Sequence, residues 1–327
     1  MSVQRQLLET LIDGKFHSGE HLASALGITR AAIWKNIKVL QSKYELDIYA
    51  VSGKGYQLSQ SIELLDSDVI ISKLSLPNTV SEIETFFTID STNRYLMKKV
   101  LSSEFHCHAV FAEQQTSGRG RHGRNWISPF GGNLYFSVLY SFQRTPRDVT
   151  GLSLAVGVAI VEQLERQGIE SAKLKWPNDI LVDGRKLCGI LLEMHGESHG
   201  PLAIVVGVGI NISMSENAAK EIDQPWVSYQ SLTQAPVARN QLAADFLSSV
   251  LLALHEFEQN GLEPFRERWL QRDYYMDSNV KLQLGDREIT GIARGIDQQG
   301  ALLLESQGQL QRYYSGEIRL RPARPAR

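Results

Sequence analysis

Residues 114–126 read Gln114-Gln115-Thr116-Ser117-Gly118-Arg119-Gly120-Arg121-His122-Gly123-Arg124-Asn125-Trp126. Three glycines and three arginines share the seven positions 118–124. Glycine lets a backbone approach an anion closely, and guanidinium groups grip it with paired hydrogen bonds. A hydrophobic core cannot absorb such a run. The fold must carry it as a polar loop offered to a polyphosphate or a carboxylate. The run lacks the Gly-Lys-Ser/Thr of a Walker loop and the Gly-x-Gly-x-x-Gly of a dinucleotide fold. It is short and framed by apolar strands, unlike the long disordered Arg/Gly tracts that bind RNA.

A second polar stretch reads Lys173-Leu174-Lys175-Trp176-Pro177-Asn178-Asp179-Ile180-Leu181-Val182-Asp183-Gly184-Arg185-Lys186. Pro177 ends any helix there, and Asn178-Asp179 favours a turn. Asp179 is either a simple turn residue or a carboxylate placed to hold Mg²⁺ or accept a proton. Lys186 follows the tight turn Asp183-Gly184. It is either solvated or a fixed positive charge in a site. Gly207 and Gly209 follow an apolar strand and allow close approach of a flat ligand. Asp90-Ser91-Thr92-Asn93 opens a helix after a strand over 84–89. Its hydroxyls either cap that helix or bond a small polar ring.

The bulk numbers describe an ordinary globular protein of two or three domains: 327 residues, 43% hydrophobic and 21% charged, with net charge −2. Residues 1–58 carry seven Lys/Arg against five Asp/Glu, so the positive end is the N-terminal one. Cys107 and Cys188 cannot build a disulfide framework or a zinc site, and their apolar surroundings suit small buried hydrophobes. No apolar run reaches the roughly 18 residues of a membrane span, and no secretory leader is evident. The expectation is a cytoplasmic protein without membrane contact.

Three domains are expected. Residues 1–60 show a helix bearing Val3, Leu7, Leu8, Leu11 and Ile12, then a helix capped by Ser18. A third, capped by Thr29, runs over 30–44. Ile33, Ile37, Leu40 and Tyr44 share one face of the third helix. Arg30, Ala31, Trp34, Lys35 and Lys38 share the other. Two short strands follow around Ser52-Gly53-Lys54-Gly55, a hairpin tip bearing Lys54. This is a winged helix-turn-helix plan, with Thr29, Arg30, Ala31, Trp34, Lys35, Lys38 and Lys54 as the DNA-binding candidates. Trp34 is equally suited to touching DNA or to packing on another domain. Residues 62–275 mix strands (111–113, 133–140, 189–193, 203–208) with helices over 151–167 and 239–260; the first of these helices is deeply buried. Residues 276–327 alternate in short runs punctuated by turns, as in an SH3-like β-barrel.

These motifs, with Lys186-Leu187-Cys188-Gly189-Ile190-Leu191-Leu192-Glu193, Gly207-Val208-Gly209-Ile210-Asn211 and Ser315-Gly316-Glu317-Ile318-Arg319-Leu320-Arg321, resemble the bacterial biotin protein ligase family. The match runs in order over nearly the whole chain. The N-terminal unit resembles that of the bifunctional form, which is also the biotin operon repressor. The resemblance implies an α+β protein whose central mixed-sheet catalytic domain is like class II synthetases. It implies a two-step ligase. Biotin and MgATP give biotinyl-5′-AMP, and the biotinyl group passes to a lysine of the biotin carboxyl carrier protein of acetyl-CoA carboxylase. The biotin-binding positions it implies are Ser91, Thr92, Asn93, Gln115, Gly118, Arg119, Gly120, Arg121, Lys186, Gly207 and Gly209. Those implied for ATP or the adenylate are Arg119, Arg121, Trp126, Asn178, Lys186, Asn211 and Arg321. Asp179 is the candidate base or Mg²⁺-associated carboxylate, and no structural metal site is assigned. The implied partners are operator DNA and a second copy, the homodimer being promoted by biotinyl-AMP. His122 stands where the family often has arginine. An octanoyl-transferring relative would need a nucleophilic cysteine, and Cys188 has no evident histidine partner.

Overall fold

The computed structural model describes residues 3–59, 61–76, 79–100, 107–142, 149–196, 202–214, 220–284, 287–314 and 318–322. The motif residues Ser315, Gly316 and Glu317 lie outside them, as do residues 285–286 and 323–327 of the expected barrel.

Local chemistry builds the N-terminal unit. Helices α1 (Val3–Leu11), α2 (Gly19–Leu26) and α3 (Arg30–Lys43) bury Leu7, Leu8, Leu11, Leu22, Ile33, Ile37 and Leu40 against one another. Ser18 Oγ accepts the His21 amide and Thr29 Oγ1 accepts the Ala32 amide, so both expected caps form. Strands β1 (Ile48–Val51) and β2 (Gly55–Leu58) pair as the wing. Ala31, Trp34, Lys35 and Lys38 all face solvent, and the Trp34 side chain is 56% exposed rather than packed on another element. Tyr44, at the end of α3, meets Phe87 and Phe130 of the central region, with ring centroids 5.2 and 4.9 Å away.

The central sheet has the order β3-β4-β5-β9-β8-β7-β6, and only the β3–β4 pair is parallel. Its strands are β3 (Glu82–Phe86), β4 (Cys107–Ala112), β5 (Leu134–Phe142), β6 (Ala172–Lys175), β7 (Asp179–Val182), β8 (Arg185–Gly196) and β9 (Leu202–Ile210). Every expected strand is present but longer or shifted; that over 84–89 becomes 82–86, because residues 87–91 already bend toward α5 (Thr92–Val100). Alternation decides the layers. Phe111, Phe136, Val206 and Val208 face α6 (Leu152–Arg166) and α8 (Arg239–Asn260), while Val110, Leu139 and Val205 face Leu96 of α5. α6 is buried nearly all round, as its sequence implies. α4 (Ser67–Lys73), α7 (Tyr229–Thr233) and α9 (Glu263–Leu270) complete the helices.

The turn expected at Asn178-Asp179 is shifted: Trp176-Pro177-Asn178 forms the turn of the β6–β7 hairpin, in register Lys175↔Asp179, and Asp179 opens β7. The run over 277–322 folds as one antiparallel sheet, β13-β12-β11-β10-β14. Its strands are β10 (Asn279–Leu284), β11 (Arg287–Ile296), β12 (Leu302–Ser306), β13 (Gln309–Tyr313) and β14 (Ile318–Pro322). Val280, Leu282, Ala293, Ile296 and Leu302 continue the central apolar core. The Trp176 indole donates to Gly300 O at 3.0 Å and ties the β6–β7 turn to this sheet.

Candidate active site

The arginine–glycine loop connects β4 to β5 and folds on itself. Gly120 N donates to Arg124 O and Trp126 N to Gly118 O, with Arg121–Gly123 forming a single tight turn at the tip. Gly118 is buried in this fold-back. A side-chain carbon there would fall 2.4 Å from Trp126 O, so its glycine serves backbone packing. Beneath the loop lies a cavity of about 580 Å³.

One end of the cavity is uncharged. Gln115 Oε1 accepts from Thr92 N at 3.0 Å and from Thr92 Oγ1 at 3.2 Å. Ser137 Oγ lies 2.7 Å from Thr92 Oγ1 and 2.6 Å from Asn93 Oδ1. Asn93 Nδ2 donates to Glu193 Oε2 at 3.0 Å. Ser91, Thr92 and Asn93 are all buried. Ser91 Oγ does meet the Arg94 amide, but only at 3.5 Å, whereas Thr92 and Asn93 turn into the cavity network. Ser91 thus meets the helix start, whereas Thr92 and Asn93 face the cavity.

The other end is charged. Lys186 Nζ lies 2.8 Å from Asp179 Oδ1, and Lys175 Nζ lies 3.7 Å from Asp179 Oδ2. Arg121 donates to Asn178 Oδ1 at 3.4 Å, and Asn178 is itself fixed by exchange with the Ile190 backbone. Burial pushes the Asp179 carboxyl up, but Lys186 and then Lys175 outweigh it and hold the group below its usual 3.8. Burial draws the Arg121 guanidinium down. Among the described residues five lysines and arginines line the cavity (Arg119, Arg121, Arg124, Lys175, Lys186) against two carboxylates, Asp179 and Asp223. The cavity has a surplus of positive charge to offer an anion.

Between the ends, Trp126 lies across Gly189 and Gly209, which face each other on β8 and β9. A side-chain carbon would come within 2.9 Å of the indole at Gly189 and 2.5 Å at Gly209. One at Gly207 would come within 2.1 Å of Asn93 Oδ1. The two glycines Gly207 and Gly209 line the cavity, but the close approach they permit is taken by Asn93 and Trp126 of the chain itself. The Lys186 ammonium stands 5.3 Å from the Trp126 ring centroid. The Trp126 indole N–H is buried and finds no acceptor among the described residues.

The expected residues thus separate. Ser91, Thr92, Asn93, Gln115, Arg119, Gly120, Arg121, Trp126, Asn178, Asp179, Lys186, Gly207 and Gly209 converge on the cavity. Gly118 and Asn211 do not line it. Asn211 is buried and donates to Lys186 O and Val227 O, bracing the strand that carries Lys186. Arg321 lies on β14 opposite Lys281, and its side chain is outside the described residues. Sequence reasoning gave no role to Arg124, Lys175, Ser137, Glu193, Tyr274 or Tyr275. Arg124 was visible in the loop run itself. The two tyrosines carry no signal, because they reach the cavity only through the non-local bridge between Leu174 and Asp273. Cys188 is fully buried, and burial pushes its thiol up, which disfavours a thiolate nucleophile.

Residues 86–211 match the biotin/lipoate A/B protein ligase family, 275–321 the biotin protein ligase C-terminal domain, and 3–57 an HTH domain. The bifunctional ligase/repressor BirA of Salmonella typhimurium is 44% identical over 324 residues, covering 98% of each chain. The chain belongs to the biotin protein ligase family, in its bifunctional ligase/repressor form. The bifunctional ligase/repressor of Escherichia coli K12 is 41% identical over the same share of both chains. A solved biotin protein ligase from Aquifex aeolicus, in complex with biotin and ATP, superposes with a TM-score of 0.64 at 28% identity, covering 74% of this chain and all of that one. Both activities of the bifunctional relatives have their modules here: a ligase region around the cavity and an HTH unit before it. No helix among the described residues is long and apolar enough to cross a membrane.

Proposed function

We propose that the cavity joins biotin to ATP and then passes the biotinyl group to a lysine of the biotin carboxyl carrier protein of acetyl-CoA carboxylase. The observation that carries this reading is the cavity's polarity: uncharged amides and hydroxyls at one end, surplus cations at the other. Biotin has the same polarity, a neutral ureido ring and a carboxylate tail. The ring pairs with Thr92, Asn93 and Gln115, and the tail points to Lys186. The solved ligase from Aquifex aeolicus is in complex with both biotin and ATP.

In the first step a biotin carboxylate oxygen attacks the α-phosphorus of ATP, and the bond to pyrophosphate breaks. Both reactants are anions. Lys186, Arg119 and Arg121 offset their repulsion and the charge that grows on phosphorus. Asp179 is the candidate carboxylate that would hold Mg²⁺, which would supply further positive charge against the phosphates, although its oxygens face Lys186 and Lys175. No covalent enzyme intermediate is needed, so positioning does the catalysis, with effective molarities on the order of 10⁵ M accessible that way. The loop shelters the mixed anhydride from water.

In the second step the neutral carrier amine attacks the acyl carbon, the bond to AMP breaks, and the proton of the amine passes to solvent water. A free lysine has a pKa of roughly 10.4, so only a small neutral fraction attacks near neutrality. A carboxylate held as low as Asp179 is a weak base, which favours its role as the counter-charge that orients Lys186. Asn178 holds Arg121 on the nucleotide side. Asn211 acts on the nucleotide through the Lys186 backbone.

The HTH unit, over 1–60, reads operator DNA, with α3 in the major groove and Lys54 of the wing on the backbone. Biotinyl-AMP acts as co-repressor by promoting a homodimer that presents two such helices to a two-fold site. The ligase region is 62–275, and 276–327 closes its far side in the manner of an SH3-like barrel. Incubating the protein with biotin, ATP and a carrier domain, then blotting with avidin, tests the catalytic reading; an unlabelled carrier overturns it. A gel shift tests the repressor reading: operator affinity should rise at least about tenfold with biotinyl-AMP, and no response to the ligand overturns it.

A further inference from the structure

Two of the loop's three cavity arginines point to opposite ends. Arg121 reaches Asn178 at the charged end, whereas Arg119 Nη1 lies 2.7 Å from Glu193 Oε1, beside the uncharged end. The other Glu193 oxygen accepts from Asn93 Nδ2 at 3.0 Å. One carboxylate therefore links the loop to the floor residue that belongs to the ring-recognition network. Glu193 follows Leu191 by two residues on β8, so both side chains leave the same face of the strand. Leu191 lines the cavity, and Glu193 is the next step toward its rim. The Arg119 side chain is 42% exposed and that of Glu193 21%, so the pair sits at the mouth and is open to exchange.

We propose that Glu193 is a resident counter-ion that holds Arg119 at the rim until the ligand's own anion displaces it, and that it takes Arg119 back when the intermediate is consumed. This inference rests on the reading of the cavity as the biotin and adenylate site. Glu193 is a positioning residue under this scheme, because it acts through Arg119. Moving Arg119 inward onto a carboxylate or phosphate breaks the contact with Glu193, and that cost is subtracted from ligand affinity. The same contact favours opening after adenylation, when a carrier lysine must reach the acyl carbon. Pairing at a half-exposed site is weak, which suits a contact made and broken in every turnover.

Glu193→Gln tests this, because glutamine keeps the shape and can still accept from Asn93 but loses the charge facing Arg119. Biotin should bind about two- to fivefold more tightly, and transfer from preformed biotinyl-AMP to the carrier should slow by a similar factor, the range expected of such a pair. In an Arg119→Ala background the same substitution should have no effect on biotin affinity. Glu193→Ala, run through the same cycle, serves if the glutamine variant folds poorly. Weaker or unchanged binding in the Arg119 protein overturns the proposal. So does an equal change in both backgrounds, which would place the effect in Asn93. Wild-type protein that binds no biotin would instead sink the functional reading beneath it.

Discussion

The two ends of the cavity are built by opposite means. At the Thr92 end, Gln115, Thr92, Ser137 and Asn93 bond one another through contacts of 2.6–3.2 Å. At the Lys186 end, Lys175 and Lys186 lie against Asp179, with Arg121 near by. The first end selects by geometry, since a ligand entering it must replace these contacts with equivalent hydrogen bonds or leave buried polar groups unpaired. The second is short of negative charge and gains when an anion enters. On the proposed reading, recognition and catalysis sit at opposite ends of one cavity, the first on α5, β5 and the β4–β5 loop, the second on β6, β7, β8 and that loop.

The sharpest way to break that division is Lys186→Met. Adenylate formation, read by biotin-dependent ATP–pyrophosphate exchange, should fall about 10²- to 10³-fold, the usual loss when one stabilising donor is removed from a transition state. Binding of biotin alone should change much less. An equal loss in both would mean that the charged end serves ordinary binding.

Asp179→Asn comes next. It leaves Lys186 and Lys175 without their counter-charge in a largely buried place, and stability should fall on the order of 2 kcal/mol. Because folding holds this carboxyl below 3.8, its contribution is present above that value and is lost as pH falls through the folded value. Thermal melts of wild type and variant should therefore differ by a constant amount from about pH 5 to 9 and converge only in acid. Adenylation should suffer along with stability. A variant with normal adenylation but failed transfer would restore Asp179 as the base of the second step.

Thr92→Val probes the other end. Biotin affinity by calorimetry should drop about tenfold, because Ser137 and Gln115 lose a buried partner. Turnover at saturating biotin should hold. A loss of turnover with unchanged affinity would reverse the assignment of the two ends. The smallest effect is expected from Lys35→Ala and Lys38→Ala, far from both. Each should lower the salt dependence of operator binding by about one unit of slope and leave pyrophosphate exchange at the wild-type rate.

What the sequence reveals and what it hides follow from range. Ser18 and Thr29 cap their helices through bonds spanning three residues, and α8 starts and stops where its pattern does. Such features depend on neighbours in the chain and are legible there. The glycines at 207 and 209 were legible as places of close approach, but not what approaches. Asn93 and Trp126 come from α5 and from the loop, and only the β8–β9 register brings Gly189 opposite Gly209. Lys186 looked like an open choice between solvent and site, and Asp179 between a turn residue and a carboxylate for Mg²⁺ or a proton. The β7–β8 pairing, with its irregularity between Ile180 and Leu181, puts the two in one ion pair that neither reading contains. Glu193 carried no local mark at all: its importance lies in Arg119, 74 positions away.

The most direct test is a crystal structure with a non-hydrolysable biotinyl-adenylate. The ureido ring should meet Thr92, Asn93 and Gln115, and the phosphate position should lie within hydrogen-bond reach, about 3 Å, of Lys186 Nζ and an arginine of the loop. A ligand bound the other way round, with its ring against Lys186 and its charged group beside Thr92, would contradict the account.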